Sequence, residues 1–328
     1  MLNESLARRI ADAAGINCDA RLHFLQCSST SVTGAIILQA WVDGDDHPRA
    51  IVKSPRDPRR NASLAHEWET VLHLRMRGRL DDVLPVAVAR FELGGVNYYQ
   101  YAGLPGRAMF SHFRNRLLGS RGFVLHGLAR QALQVAVAIH RPETRSASPS
   151  EIAQDLLDDL DWLEATVQEL PATISARARQ AASAIESARG LHLPFGRIHG
   201  DFSPFNLLTN STMRSARARL IDWEHSEPER PQHLDLFRFM GTSVMMGRQR
   251  DARLASFEQV RDTPLLQQLL GRWLDLMSAS PLSSMSQAVR EALWWHYWIH
   301  AARREQERRG AQQDARFLGR LAQVATSS

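Results

Sequence analysis

Lysine is almost missing from this sequence: of 40 basic residues, a single one, Lys53, is not arginine. Cysteine is scarce as well. Cys18 and Cys27 have no companion set of metal ligands, which argues against a zinc-stabilised scaffold. They read as reduced thiols of a cytoplasmic protein, although their nine-position separation leaves a disulfide open. No uninterrupted apolar run approaches the roughly 18 residues of a membrane-spanning helix. The opening Met-Leu-Asn-Glu-Ser-Leu-Ala-Arg-Arg lacks the apolar centre of a signal peptide. No membrane span and a cytoplasmic location are therefore expected. The pattern G-x-x-x-x-G-K-[ST] occurs nowhere, which disfavours a P-loop enzyme. A net charge of +5 and a pI near 9.8 would permit nucleic-acid contact. The arginines, however, are scattered among Asp and Glu without an aromatic-basic motif, so no nucleic-acid partner is expected.

What is present suits a soluble globular protein: 44% apolar and 23% charged residues. A chain of 328 residues has room for about two domains, or for one two-lobed unit with an ample core. The solitary lysine gains meaning from its address. Residues 21–52 read as three strands with turn residues between them, and Lys53 ends the third, Ala50-Ile-Val-Lys53. Where arginine supplies charge nearly everywhere, a lysine marks a place that wants a compact ammonium rather than a planar fork.

Residues 198–224 carry the densest pattern. Ile-His-Gly-Asp201-Phe-Ser-Pro-Phe-Asn206-Leu-Leu is followed by a polar bridge and a second apolar run that delivers Asp222 in Ile-Asp-Trp-Glu. Strand, turn and strand would bring Asp201, Asn206 and Asp222 to neighbouring strand ends. Phosphoryl transfer needs such a set, because the protein mainly positions a hydroxyl, a triphosphate and Mg²⁺. Asp201 suits the group that accepts or orients the hydroxyl proton. Asn206 and Asp222 are hard oxygen donors of the kind Mg²⁺ takes beside phosphate oxygens and water.

The order Asp, Asn five positions later, then Asp after an apolar strand resembles the kinase catalytic loop and metal-binding aspartate. His-Gly-Asp, four residues, Asn, then Ile-Asp-hydrophobic-Glu is similar to the aminoglycoside phosphotransferase and choline kinase superfamily, over roughly residues 25–240. That resemblance implies an α+β, two-lobed protein-kinase-like fold. A small antiparallel-sheet N-lobe (1–102) would bind nucleotide, and a larger helical C-lobe (103–328) would carry the catalytic loop, metal site and acceptor region. It implies ATP and Mg²⁺ as cofactors. Lys53 would hold the α- and β-phosphates, and Glu67 on a helix over residues 63–77 would pair with it, with Glu69 as the alternative. Val71 and Leu74 follow Glu67 at i+4 and i+7, one inward stripe. Ser28–Gly34 would cover the phosphates with Gly34 as its only glycine. Ala102 and Leu104 would meet adenine through their backbone groups, with Tyr101 at the back of the pocket.

Only 13 positions separate Asp222 from Asp235, and no Ala-Pro-Glu anchor follows, so a protein substrate is disfavoured. The expected activity is transfer of the γ-phosphate of ATP to a hydroxyl of a small molecule: an aminoglycoside, an amino alcohol such as choline, or a sugar. A catalytically inactive, pseudokinase-like nucleotide-binding module is the alternative. Elsewhere, His140 at the end of an apolar helix over 121–140 and Asp235 read as structural. The acidic helix near 155–164 reads as a solvated face, or else as the wall of a cationic acceptor site. Arg303-Arg304 reads as a solvated face too. Trp294, Trp295, Tyr297 and Trp298 read as a helix packed into the core, or else as a cage for a quaternary amine. Glu224 could join the metal region or line the acceptor site.

Overall fold

The computed structural model describes residues 4–17, 21–28, 35–57, 61–78, 80–114, 121–210, 217–245 and 264–309, together with 318, 321, 322 and 325. Gly34, residues 29–33 and Cys18 therefore lie outside the described residues. The protein is α+β, with an antiparallel sheet towards its N-terminus and mostly helices towards its C-terminus. It forms two compact units, Met1–Asn115 with Phe205–Ser226, and Arg116–Pro204 with Glu227–Ser328.

In the first unit β1 (Leu22–Ser28), β2 (Ala35–Val42), β3 (Ala50–Pro55), β4 (Ala87–Leu93) and β5 (Val96–Ala102) make one antiparallel sheet in the order β1-β2-β3-β5-β4. The tightest link is Gly94-Gly95 between β4 and β5. Both glycines have positive φ, 61° and 77°, which a two-residue hairpin loop matched to strand twist requires. Side chains alternate across a strand, and this assigns the two faces. Ala50 and Val52 face α1 (Glu4–Ala13), whose Leu6 and Ile10 pack on them with Leu38 and Ala40. Gln100 lies on that face too, donating its amide to the Ile10 carbonyl at 3.0 Å. Lys53 takes the opposite face. There its cross-strand partner Tyr99, and Tyr101 beside Ile51, meet Trp68 of α2 (Asn61–Met76), with ring centroids 6.0 and 5.4 Å apart.

A smaller sheet completes this unit: β6 (Arg107–Ala108), β9 (Leu207–Thr209) and β10 (Ala218–Leu220), in the order β10-β9-β6. Between the sheets runs the segment after Ala102. A Cβ on Gly103 would lie 1.5 Å from the Pro48 carbonyl oxygen, so only glycine fits this close crossing. α3 (Met109–Arg114) follows β6.

The second unit is mostly helical. α4 (Arg121–His140) packs on α8 (Pro264–Leu276), while α5 (Pro149–Thr166), α6 (Ala172–Glu186) and α9 (Gln287–Arg309) form a second layer. α5 starts at a capping box: Ser148 accepts from the Glu151 amide while the Glu151 carboxylate accepts from the Ser148 amide. A third sheet, in the order β11-β8-β7, joins β7 (Arg145–Ala147), β8 (Leu193–Ile198) and β11 (Glu227–Pro231), and α7 (His233–Met245) follows it. No described helix is long and apolar enough to cross a membrane.

Two acidic residues of α5 correct a sequence expectation, while Asp158, Asp161 and Glu164 are exposed as expected. Asp155 and Asp159 are buried, not solvated, and both bind the guanidinium of Arg230 from β11. Asp159 also takes Arg303 and His300, and Asp155 takes His296 at 2.8 Å. Asp155, Asp159 and His296 have the spacing of a cation site, with ligand atoms within 4.8 Å of one another. The Arg230 guanidinium already supplies that positive charge, which makes the cluster a structural brace. Burial would raise the Asp159 carboxyl, but His300 and Arg230 outweigh it and hold it below the usual range. Its contribution to stability is therefore in full above the unfolded-state pKa of 3.8 and lost as the pH falls. Asp159→Asn should cost about 3–5 kcal/mol by removing the buried charge that Arg230, Arg303 and His300 share. Denaturant unfolding at pH 7 checks this; an unchanged midpoint would show the network to be dispensable.

The aromatic stretch on α9 is core. Trp294 stacks on Phe237 at 4.5 Å, and Trp294, Tyr297 and Trp298 are each buried.

Candidate active site

Lys53 is the centre of the first unit's site. It is 9% exposed and reaches three carboxylate oxygens: both of Glu67 at 2.8 Å and Oδ1 of Asp222 at 2.7 Å. The sheet's alternation turns Lys53 towards α2, and the helix presents Glu67, 2% exposed, on the buried stripe with Val71 and Leu74. Glu69 sits on the exposed side of the same helix. Burial alone would lower the Lys53 ammonium, but Asp222 and Glu67 outweigh it and hold it well above the usual lysine range. Glu67 is pushed up by burial despite the pull of Lys53.

Asp222 owes its position to the β9–β10 hairpin. Leu207 pairs with Leu220, and just beyond that pair the Ile221 amide donates to the Asn206 carbonyl at 3.0 Å. Asn206 and Asp222 thus flank one end of the hairpin. The Leu220 amide ties that end to the Val83 carbonyl at 2.8 Å. Asp222 itself is left-handed, with φ 72° and ψ 62°. For a residue other than glycine this conformation costs about 1–2 kcal/mol, although Asp tolerates it better than most. The turn that follows, Trp223–His225, and its C-cap Ser226 are bound to α2 at three points. The Trp223 amide donates to Glu67, Ser63 donates to Glu224 at 3.1 Å, and the His66 ring meets the Ser226 carbonyl at 2.8 Å.

Three carboxylates, Glu67, Asp222 and Glu224, therefore gather around a single ammonium. Glu224 shows the imbalance: its carboxyl is pushed up to about 7, by burial first and then by the charge of Asp222. Beside them the Tyr101 hydroxyl is buried and has no hydrogen-bond partner among the described residues. Its own ionisation is pushed far up, by burial and then by Glu67. Surplus negative charge, hard oxygen donors and a buried hydroxyl without a hydrogen-bond partner among the described residues fit a divalent cation and a polar ligand.

Of the two backbone positions assigned to adenine, the Ala102 amide is engaged within the sheet, donating to Val86 at 2.9 Å. Leu104 lies two residues further on, past the Gly103 crossing, and is half-buried.

The second unit holds Asp201. β8 ends at Ile198, and Gly200 turns the chain at φ 79°. Asp235, in the first turn of α7, gathers this turn. Its carboxylate accepts from the His199 amide at 2.7 Å, the Gly200 amide at 2.9 Å and the His140 ring at 3.0 Å. Trp273 donates to the other His140 nitrogen at 3.3 Å, so that histidine is committed on both sides. Both residues are structural by these contacts. Asp201 carries a partner that sequence reasoning did not supply: Arg238, one helical turn after Asp235, donates to its Oδ1 from Nε at 2.8 Å. The i, i+3 spacing from Asp235 was the only available signal.

The chain belongs to the phosphotransferase enzyme family, whose model matches residues 33–256. No curated protein sequence matches it significantly. Among solved structures, a glucosamine kinase is similar over 98% of this chain and 83% of its own, at TM-score 0.52 and 14% identity. A glucosamine kinase in complex with glucosamine, ADP and inorganic phosphate gives 99% and 83%, at TM-score 0.51 and 14% identity. A spectinomycin phosphotransferase in complex with ADP and spectinomycin is similar over 100% and 98%, at TM-score 0.48 and 14% identity. At that identity the glucosamine kinases establish the fold, which is the kinase-like one the sequence resemblance implied.

Proposed function

We propose that this protein transfers the γ-phosphate of ATP, with Mg²⁺, to a hydroxyl of a small molecule. The observation that carries this reading is Lys53, the solitary lysine, bonded at once to Glu67 and Asp222. Arg230 also binds two acids, but beside Lys53 a third carboxylate, Glu224, and a Tyr101 hydroxyl without a hydrogen-bond partner among the described residues are left over. Two acids holding one buried ammonium fix its position, which is what an electrostatic clamp on a charged ligand requires. On this reading residues 1–102 form the nucleotide-binding lobe and 103–328 carry the catalytic and acceptor machinery.

Lys53, oriented by Glu67, would hold the α- and β-phosphates. Asn206 and Asp222 would hold the metal, which when bound neutralises charge on the phosphates. Asp201 would orient the acceptor hydroxyl and take up its proton as the bond from the γ-phosphorus to the acceptor oxygen forms and the bond from the γ-phosphorus to the β–γ bridging oxygen breaks, releasing ADP. Gly34 and the backbone groups of Ala102 and Leu104 would complete the nucleotide contacts. The acceptor belongs to the aminoglycosides, amino alcohols or sugars, and the protein acts in the cytoplasm.

Asp222→Ala supplies the test. It removes one metal donor but leaves Lys53 paired with Glu67, so folding should survive. Mg²⁺-dependent phosphate transfer from labelled ATP, assayed against a panel of amino sugars, amino alcohols and sugars, should fall by about 10²–10³-fold. Undiminished transfer would place the metal elsewhere.

A further inference from the structure

Arg238 stands beside Asp201 in a way that stability does not explain. Two nitrogens of its guanidinium, Nε at 2.8 Å and Nη2 at 2.7 Å, converge on the same carboxylate oxygen, Oδ1. The pair is partly open to solvent, with side-chain exposures of 33% and 22%. Ion pairs of that kind contribute about 0–1 kcal/mol, and ordering a long arginine side chain consumes much of it. Nor is the pair needed to shape the turn. The amides of His199 and Gly200 are already bound by Asp235, and the Asp201 amide donates to the His199 ring at 3.2 Å. The backbone is fixed without Arg238, which leaves only the rotamer of the Asp201 side chain for it to set. A further contact braces the guanidinium itself, a side-chain hydrogen bond to Tyr297 on α9.

We propose that Arg238, steadied by Tyr297, is a positioning residue for phosphoryl transfer: it locks the Asp201 carboxylate through Oδ1 so that the carboxylate is presented to the acceptor hydroxyl in one orientation. α7 then does two jobs one turn apart, Asp235 holding the backbone of the turn and Arg238 its side chain. This rests on the assignment of Asp201 as the residue that orients the acceptor. In phosphoryl transfer, alignment is most of what the protein supplies, and a misplacement of about 1 Å can cost about 10²-fold.

The test compares wild type, Arg238→Ala, Arg238→Lys and Tyr297→Phe in steady-state phosphate transfer from ATP, with nucleotide affinity and melting temperature measured alongside. Arg238→Ala should lower kcat by about 10²-fold with KM for ATP and nucleotide affinity unchanged, and guanidinium ion added to the buffer should restore part of the loss. Arg238→Lys, which offers a single ammonium in place of two converging N–H groups, should fall between. Tyr297→Phe should give a smaller loss of the same kind and keeps the experiment decisive where Arg238→Ala unfolds. Active wild type with kcat unchanged in Arg238→Ala, or a loss that follows melting temperature and resists guanidinium, would overturn the role of Arg238 alone. Wild type that transfers phosphate to no acceptor and hydrolyses no ATP would overturn the underlying functional reading instead.

Discussion

Lys53→Met should abolish turnover and also weaken the fold, and the two effects should separate in a second variant. Methionine keeps the unbranched shape and most of the length of the side chain and removes its charge. Glu67, 2% exposed, then loses the ammonium that both its oxygens contact, and Asp222 loses the same partner. Removing one partner of a buried ion pair costs about 3–5 kcal/mol, because the remaining charge stays in a poor solvent. Lys53→Met/Glu67→Gln removes that buried charge and should recover most of the lost stability. Turnover should not return, since nothing then faces the phosphates; the loss expected from deleting one preorganised electrostatic contact is at least about 10²–10³-fold. Chemical denaturation beside initial rates reads both quantities. A double variant regaining activity together with stability would make Lys53 a purely structural residue.

Asp201→Asn should have the opposite profile, a large kinetic defect on an intact fold. Asparagine preserves the shape of the side chain, and the turn around it is held by Asp235 rather than by Asp201. What disappears is an acceptor for the hydroxyl proton. Positioned proton acceptors contribute about 10²–10⁴-fold, so kcat should fall within that range while nucleotide affinity and melting temperature stay near wild type. Calorimetric titration with a non-hydrolysable ATP analogue would separate binding from chemistry. Turnover within a few-fold of wild type would remove Asp201 from this role, and with it the premise for Arg238.

The legible parts of this protein were those whose physics is local. Apolar runs bounded by turn residues mark β2, β3 and the Gly94-Gly95 hairpin, and the turning of successive side chains to opposite faces of a strand then decides which face Lys53 takes. The rarity of lysine made Lys53 visible, and the spacing of Asp201, Asn206 and Asp222 made the segment 198–224 visible, because both are statements about chain order. What stayed hidden depends on contacts between distant positions. Arg230 sits in Glu-Pro-Glu-Arg-Pro, where two prolines read as a loop, yet the segment is β11, an edge strand where missing amides are tolerated. Its partners Asp155 and Asp159 lie one helical turn apart on α5, and from sequence alone an acidic turn looks solvated. Nothing in 150–164 announces that an arginine more than 70 positions later will enter between them. Arg238 was hidden for a related reason: it lies on a helix that looks like packing, and its meaning comes from the turn it reaches.

The most direct check on the account is a phosphorus NMR time course with the full chain, ATP, Mg²⁺ and each candidate acceptor in turn. A new phosphomonoester resonance should grow as the γ-phosphate signal declines, in the presence of at least one amino sugar, amino alcohol or sugar, and should be absent with Asp201→Asn. Nucleotide left unchanged by every acceptor, or a phosphomonoester formed equally well by the Asp201 variant, would contradict it.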